Sequence, residues 1–207
     1  MQSTCYATSR LKMYAGRLRE IQQLEKKHKI NAGQLIAIYG RRRIGKSALI
    51  KKFIANKTAL SFEGLEHQQT KAQIKYFISI LAKQTKNPII IRTKFENWDQ
   101  VFQTLTDELK KLGNHKIILV FDEVQWLAAG KSKLISIIKS YWDRFWKDMG
   151  VKLILCGSVA SYMINGVIKS KALYGRINLQ INLMALTPGE SKLLLNKKSN
   201  EEALKYL

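Results

Sequence analysis

The sequence predicts an α/β protein in which helices cover both faces of a parallel sheet. Short apolar runs alternate with amphipathic helical patterns along the chain, the pattern of layered α/β architecture. The first apolar run also passes through a glycine-flanked turn straight into a helical pattern. At 207 residues the chain suits one domain, or one and a fraction at about 150 residues per domain. That length buries roughly 70% of the unfolded surface without staples. No internal repeat, Gly/Ser linker or low-complexity tract interrupts it.

Residues 34–39 (QLIAIY) read as a buried strand closed by Gly40, residues 47–56 as a helix and residues 59–62 as a second strand. Ile74, Phe77, Ile78, Leu81 and Ala82 mark one apolar helix face; Trp98, Val101, Phe102, Leu105, Leu109 and Leu112 mark another. Residues 116–121 (KIILVF) read as a third strand. Leu134, Ile137, Ile138, Tyr141, Trp142 and Phe145 form a third stripe, on a helix of about four turns. Residues 151–156 (VKLILC) give a fourth strand and the alternating residues 177–183 a fifth. Thr187-Pro188-Gly189-Glu190 is a helix start, because Thr caps, Pro suits the first helical position and Glu reaches back to the cap backbone. A helix over 188–195 follows, and the chain stops inside a second helical-looking stretch, 201–207.

Bulk composition excludes several classes. The longest apolar runs, such as 117–121, fall far short of the ~20 residues that span a bilayer. Cys5 and Cys156 cannot build a disulfide framework, and His28, His67 and His115 lack metal-finger spacing. The expectation is a soluble protein of a reducing compartment, assigned to the cytoplasm. Lys plus Arg is 36 against 15 acids, a net charge of +21. Such a surplus attracts polyanions, which makes DNA or RNA a candidate partner through the basic surface. The lysines are scattered, however, and a generally Lys-rich composition looks the same. The acid-free residues 1–19 weakly resemble a transit peptide, although Arg17 to Leu24 has a better use below.

The strongest motif is Gly40-Arg41-Arg42-Arg43-Ile44-Gly45-Lys46-Ser47, a complete G-x4-G-K-[ST] phosphate-binding loop between a strand and a helix. Gly40 and Gly45 let the backbone curl so that its N–H groups face phosphate oxygens, with the helix N-terminus and Ala48 beneath them. Lys46 reaches the β- and γ-phosphates of a nucleotide, and the Ser47 hydroxyl ligates Mg²⁺. At least one of Arg41, Arg42 and Arg43 meets phosphate or an acid. The next motif, Ile117 to Glu123, is an apolar strand ending in two acids. Asp122 lies near the metal through its water shell, and Glu123 orients a water for attack on the γ-phosphate. Adjacent acids point to an NTP hydrolase. Ser158 follows the strand Leu153 to Cys156; it either hydrogen-bonds the γ-phosphate or water, or caps the next helix. Arg176, before the fifth strand, either serves the γ-phosphate in cis or from a neighbour, or packs structurally. Trp98, Trp142 and Trp146 read as core, Trp126 as a residue of a partner-facing loop, and Cys156 as a buried inert thiol.

Taken together, GRRRIGKS at 40–47, VFDEVQWL at 120–127, LILCGS at 153–158, LYGR at 173–176 and the Tyr14-to-Leu24 element resemble archaeal-type ATP-binding proteins of the AAA+/STAND superfamily. The resemblance implies a three-layer P-loop NTPase with a five-stranded parallel sheet in the order 5-1-4-3-2. It implies ATP and Mg²⁺ as ligands, with Arg17 and Glu20 near the adenine side. It divides the chain into a helical element (1–33), a P-loop ATPase core (34–186) and the start of an incomplete helical lid (187–207). An effector domain or protein partner is expected, with the oligomeric state open. ATP is favoured over GTP by the resemblance and by the lack of an Asn-Lys-x-Asp element. The expected activity is slow, Mg-dependent ATP hydrolysis serving a switch or motor. The alternatives are a basic nucleic-acid-binding protein with ATP as its switch, or a nucleotide-binding remnant that does not hydrolyse.

Overall fold

The computed structural model describes residues 16–113, 116–130 and 132–195. Cys5, the start of the Tyr14-to-Leu24 element and the stretch 201–207 lie outside the described residues.

Inner strands of a parallel sheet must be apolar on both faces, since helices cover both. The strands β1 (Gln34–Tyr39), β3 (Ile118–Asp122) and β4 (Lys152–Gly157) are buried almost throughout. The edge strands β2 (Ala59–Glu63) and β5 (Ile177–Asn182) alternate between more and less exposed residues. All pairings are parallel, and the order β2-β3-β4-β1-β5 is 5-1-4-3-2 read from the other edge. Register aligns Tyr39 with Gly157 and Glu63 with Asp122. The strands therefore end together, and the loops that leave them share one edge.

Period-two alternation sorts the strand residues into two cores. Ile36, Ile38, Ile118, Val120, Ile154 and Cys156 face α1 (Leu18–Lys29) and α2 (Lys46–Ile54), which contribute Leu24, Leu49, Ile50 and Phe53. Leu35, Ala37, Leu119, Phe121, Leu153 and Leu155 face a larger core supplied by α3 (Thr70–Thr85) and the short α4 (Ile89–Arg92). The same core receives α5 (Trp98–Leu112), the single turn α6 (Val124–Leu127) and α7 (Leu134–Tyr141). Phe62 stacks on Phe77 at 3.8 Å, and Phe102 on Phe121 at 5.6 Å. Trp98, Trp142 and Trp146 are buried here.

The third predicted helix does not stay α-helical to Phe145. It widens into a π segment over Trp142–Trp146, with Lys147 N–H bonding Trp142 O at 3.1 Å. Two neighbouring aromatics, Tyr141 and Trp142, both need the core. The wider turn also brings Trp146 inward, where its Nε1 donates to Thr106 Oγ1 at 2.9 Å. Such π segments reset the facing of a helix. A second π segment, Met163–Ile168, follows the short α8 (Ala160–Tyr162).

The helix α9 (Pro188–Leu195) starts with a reciprocal capping box. Thr187 N–H donates to Glu190 Oε2 at 2.9 Å, and Glu190 N–H donates to Thr187 Oγ1 at 3.3 Å. Among the described residues, no helix is long and apolar enough to cross a membrane.

Candidate functional site at the carboxyl edge of the sheet

The loop after β1 turns sharply because two glycines adopt positive φ, 150° at Gly40 and 94° at Gly45. At Gly40 the reason is also steric, since a Cβ would run into the backbone Leu183 O. The loop delivers Lys46 as the first residue of α2, buried at 5% exposure. Lys46 Nζ donates to Gly40 O at 3.0 Å and Arg41 O at 2.8 Å. Among the described residues no carboxylate pairs with this ammonium, so its charge remains available to an anion.

Ser47 Oγ donates to Asp122 Oδ2 at 2.7 Å, and Asp122 Oδ1 accepts Glu123 N–H at 2.9 Å. Glu123 stands at φ 49°, a left-handed conformation uncommon for non-glycine residues. Its Oε2 accepts Ser158 Oγ at 2.7 Å, Ser158 N–H at 3.3 Å and the Nε2 of Gln125. Ser158 therefore anchors Glu123. Lys46, Ser47, Ala48, Glu123 and Trp126 line one cavity of about 600 Å³, together with Arg42, Arg43 and Glu63.

On the other side of the loop lies a larger, more apolar cavity of about 870 Å³, lined by Arg17, Leu18, Glu20, Ile21 and Met184. Arg17 is buried at 5% exposure, and its Nη2 donates to Ile44 O at 3.2 Å and to Met184 O. Arg17 N–H donates to Glu190 Oε1 at 2.9 Å, tying the start of α1 to the start of α9.

The structure thus brings Gly40, Gly45, Lys46, Ser47, Asp122, Glu123 and Ser158 to one edge. The intervening residues divide. Arg42 Nη2 meets Glu66 Oε1 at 2.6 Å in an exposed pair, Arg41 offers its carbonyl to Lys46, and Ile44 packs against the α1–α2 core. Arg176 is not brought in. It precedes Ile177, which is level with Leu35, so it sits at the opposite edge. Six strand residues at about 3.3 Å each separate the edges by about 20 Å. Its Nε and Nη2 grip Asp143 Oδ1 at 2.8 Å and Oδ2 at 2.9 Å, holding that carboxyl below its usual range. Contact in cis with a nucleotide at the carboxyl edge is excluded by this placement. Trp126 stands at the cavity, its ring 4.6 Å from that of His67.

Two polar residues of this region were not singled out in the sequence. Glu63 ends β2 beside Asp122, and burial, reinforced by Asp122 and Glu123, raises its carboxyl above the usual range. A third strand-ending acid was the available signal. Gln125 is buried, and its Oε1 has no hydrogen-bond partner among the described residues; such a group costs about 1–3 kcal/mol. Its only sequence signal was a polar residue in an otherwise apolar turn.

Among the described residues no group of three or more His, Cys, Asp and Glu side chains could hold a metal. The Ser47 hydroxyl and the Asp122 carboxylate are a hard-oxygen pair. They fit Mg²⁺, which usually keeps waters and shares one or two protein ligands with substrate phosphates.

A loop of this geometry, feeding a helix beside an Asp-Glu strand end, defines a P-loop nucleotide-binding protein. The chain belongs to the family described as "ATPase domain predominantly from Archaea", matched over residues 14–205; it is a P-loop ATPase domain. It is 30% identical over 165 residues to an uncharacterized protein of Methanocaldococcus jannaschii, covering 79% of this chain and 34% of the relative. A second protein of that organism, an uncharacterized ATP-binding protein, is 51% identical over 45 residues, 22% of this chain and 76% of that protein. The fold is shared with a Walker-type ATPase of Pyrococcus abyssi (TM-score 0.65, 20% identity, 93% of this chain and 62% of that one). It is also shared with the Aeropyrum pernix ORC2 protein in ADPNP–ADP complexes (TM-score 0.61, 20% identity, 88% and 51%). The chain therefore spans about a third of the first M. jannaschii relative.

Proposed function

We propose that this domain binds ATP with Mg²⁺ and hydrolyses it slowly, as the switch or motor module of a larger assembly. The observation that carries the reading is the convergence of Lys46, Ser47 and Glu123 on one cavity, with Asp122 and Ser158 bonded to them. Lys46 exchanges its two loop carbonyls for β- and γ-phosphate oxygens, while the backbone N–H groups of 40–48 receive the remaining negative charge. Ser47 and Asp122 would hold Mg²⁺, which when bound neutralises charge on the phosphate oxygens. Glu123 accepts a proton of the attacking water and orients its lone pair toward the γ-phosphorus. Ser158 anchors that carboxylate. The adenine lies in the apolar cavity beside Arg17 and Glu20.

Any action of Arg176 on phosphate is on a neighbouring molecule's nucleotide. Turnover per site then rises with protein concentration, and Arg176→Ala removes the rise. The output sits in an effector domain or protein partner, in keeping with the greater length of the relatives. The buried, unpaired Cys156 thiol fits the reducing cytoplasm.

The test is calorimetry with ATP and Mg²⁺ followed by phosphate release. Lys46→Ala loses two charge-assisted contacts and should bind at least about 10²-fold more weakly. Glu123→Gln should bind ATP as the unaltered protein does while hydrolysis falls about 10²-fold or more. Equal loss of binding in Glu123→Gln would remove it from the water-orienting role.

The net charge of +21 supports a second reading, in which the same switch governs binding to DNA or RNA. Its mark is an affinity that falls steeply and log-linearly with salt; a flat dependence removes it.

A further inference from the structure

Gln125 lies on α6, two residues after Glu123, and lines no part of the phosphate cavity. Its Nε2 donates to Glu123 Oε2 and, at 3.2 Å, to Ser158 Oγ. The reverse orientation would set the amide oxygen against a carboxylate, so the donor side must face Glu123. The amide oxygen then points toward Gly157, without a hydrogen bond among the described residues. A Cβ on Gly157 would come within 2.7 Å of both Gln125 Oε1 and Met163 Sδ. A leucine would occupy this space without leaving an orphaned acceptor. The amide is therefore better explained by what its donor does than by packing.

Glu123 has an asymmetric carboxylate. Oε2 receives Ser158 Oγ, Ser158 N–H and Gln125 Nε2; Oε1 has no hydrogen bond from the described residues. In this anchored state Glu123 lines the cavity together with Lys46 and Ser47.

We propose that Gln125 is a positioning residue for ATP hydrolysis: bridging Ser158 and Glu123, it fixes the carboxylate so that Oε1 alone is presented to the attacking water. The proposal rests on Glu123 being the water-orienting base. Gln125 acts through Glu123 and touches neither nucleotide nor metal. Ser158, gripped by the same amide, is the second post of the anchor.

The test is a double-mutant cycle with Gln125→Leu and Glu123→Gln, read as kcat, KM, ATP affinity and melting temperature. Gln125→Leu should lower kcat about ten- to hundred-fold, the range that small misplacement of a reacting group costs. KM and ATP affinity should stay within about two-fold, and melting should not fall. In the Glu123→Gln background the same change should cost nothing further, because the group it positions is gone. Ser158→Ala supplies a variant independent of the packing at 125, and its loss combined with Gln125→Leu should be smaller than the product of the two. An unchanged or raised kcat in Gln125→Leu, or an undiminished loss on the Glu123→Gln background, overturns the proposal while leaving Glu123 as the base. If Glu123→Gln hydrolyses ATP as fast as the unaltered protein, both assignments fall together.

Discussion

The two edges of the sheet treat buried charge in opposite ways. At the amino edge Lys152, with no exposed surface, donates to Ile30 O at 2.7 Å, Ala32 O at 2.8 Å and Gly150 O at 2.9 Å. All three protons of the ammonium are used by the chain itself. Arg176 is likewise closed on Asp143 by two bonds. At the carboxyl edge, among the described residues, Lys46 has two carbonyls and no counter-ion, Glu123 has one oxygen without a hydrogen bond, and Gln125 has another. Two non-glycine residues in the loops of that edge, Arg43 and Glu123, also stand in left-handed backbone. Unsatisfied groups and unusual φ values are costs that persist where surrounding packing holds them, commonly at functional sites. At one edge the cationic side chains Lys152 and Arg176 are closed by the chain itself; at the other Lys46 is left to be completed by a ligand.

That contrast breaks most visibly at Lys152. Lys152→Met leaves three carbonyls, that of Gly150 buried and those of Ile30 and Ala32 partly so, without their donor and should cost about 3 kcal/mol. Denaturant titration would show the loss, while ATP affinity of the folded fraction stays unchanged. Gly40→Ala attacks the other edge: its Cβ meets Leu183 O, and about 1–3 kcal/mol of stability should go together with ATP binding, measured by melting and calorimetry. Arg176→Ala should be milder, because its pair with Asp143 is about one-third exposed and such pairs contribute roughly 0–1 kcal/mol. ATP affinity should not move; if it does, the separation of the edges is wrong.

The smallest effect concerns pH at the amino edge. His28 near the end of α1 has its pKa lowered, first by burial and then by Lys57, and its Nδ1 has no hydrogen-bond partner among the described residues. The unfolded chain then holds more protons than the native one between about pH 6.5 and the lowered folded value. Stability should be full above that window and fall as pH drops through it. In His28→Phe this slope should disappear from melting curves taken between pH 7 and 5.

How much was legible in the chain depended on how local each feature is. The apolar runs of β1, β3 and β4 announce buried strands, and the capping box at Thr187 needs only four adjacent residues. Glycine spacing and the Asp122-Glu123 pair are equally local. Gln125 and Ser158 were harder, since they stand 33 residues apart and meet only because β3 and β4 pair. The π segment at Trp142 was hidden for a related reason: a helical period cannot show which of two adjacent aromatics the core will accept. Arg176 was partly legible, because a residue just before a strand in an all-parallel sheet stands at its amino edge.

By itself the sequence determined the layered architecture, the phosphate loop and the strand-ending acids. Each follows from backbone periodicity, glycine conformations or side-chain chemistry within a few consecutive residues. Tertiary structure alone decided that Glu123 is held at one oxygen, that Arg176 is closed on Asp143 across 33 residues, and that Lys152 is consumed by three carbonyls. Hydrogen bonds between distant segments depend on register and burial, and those exist only once the two cores have packed.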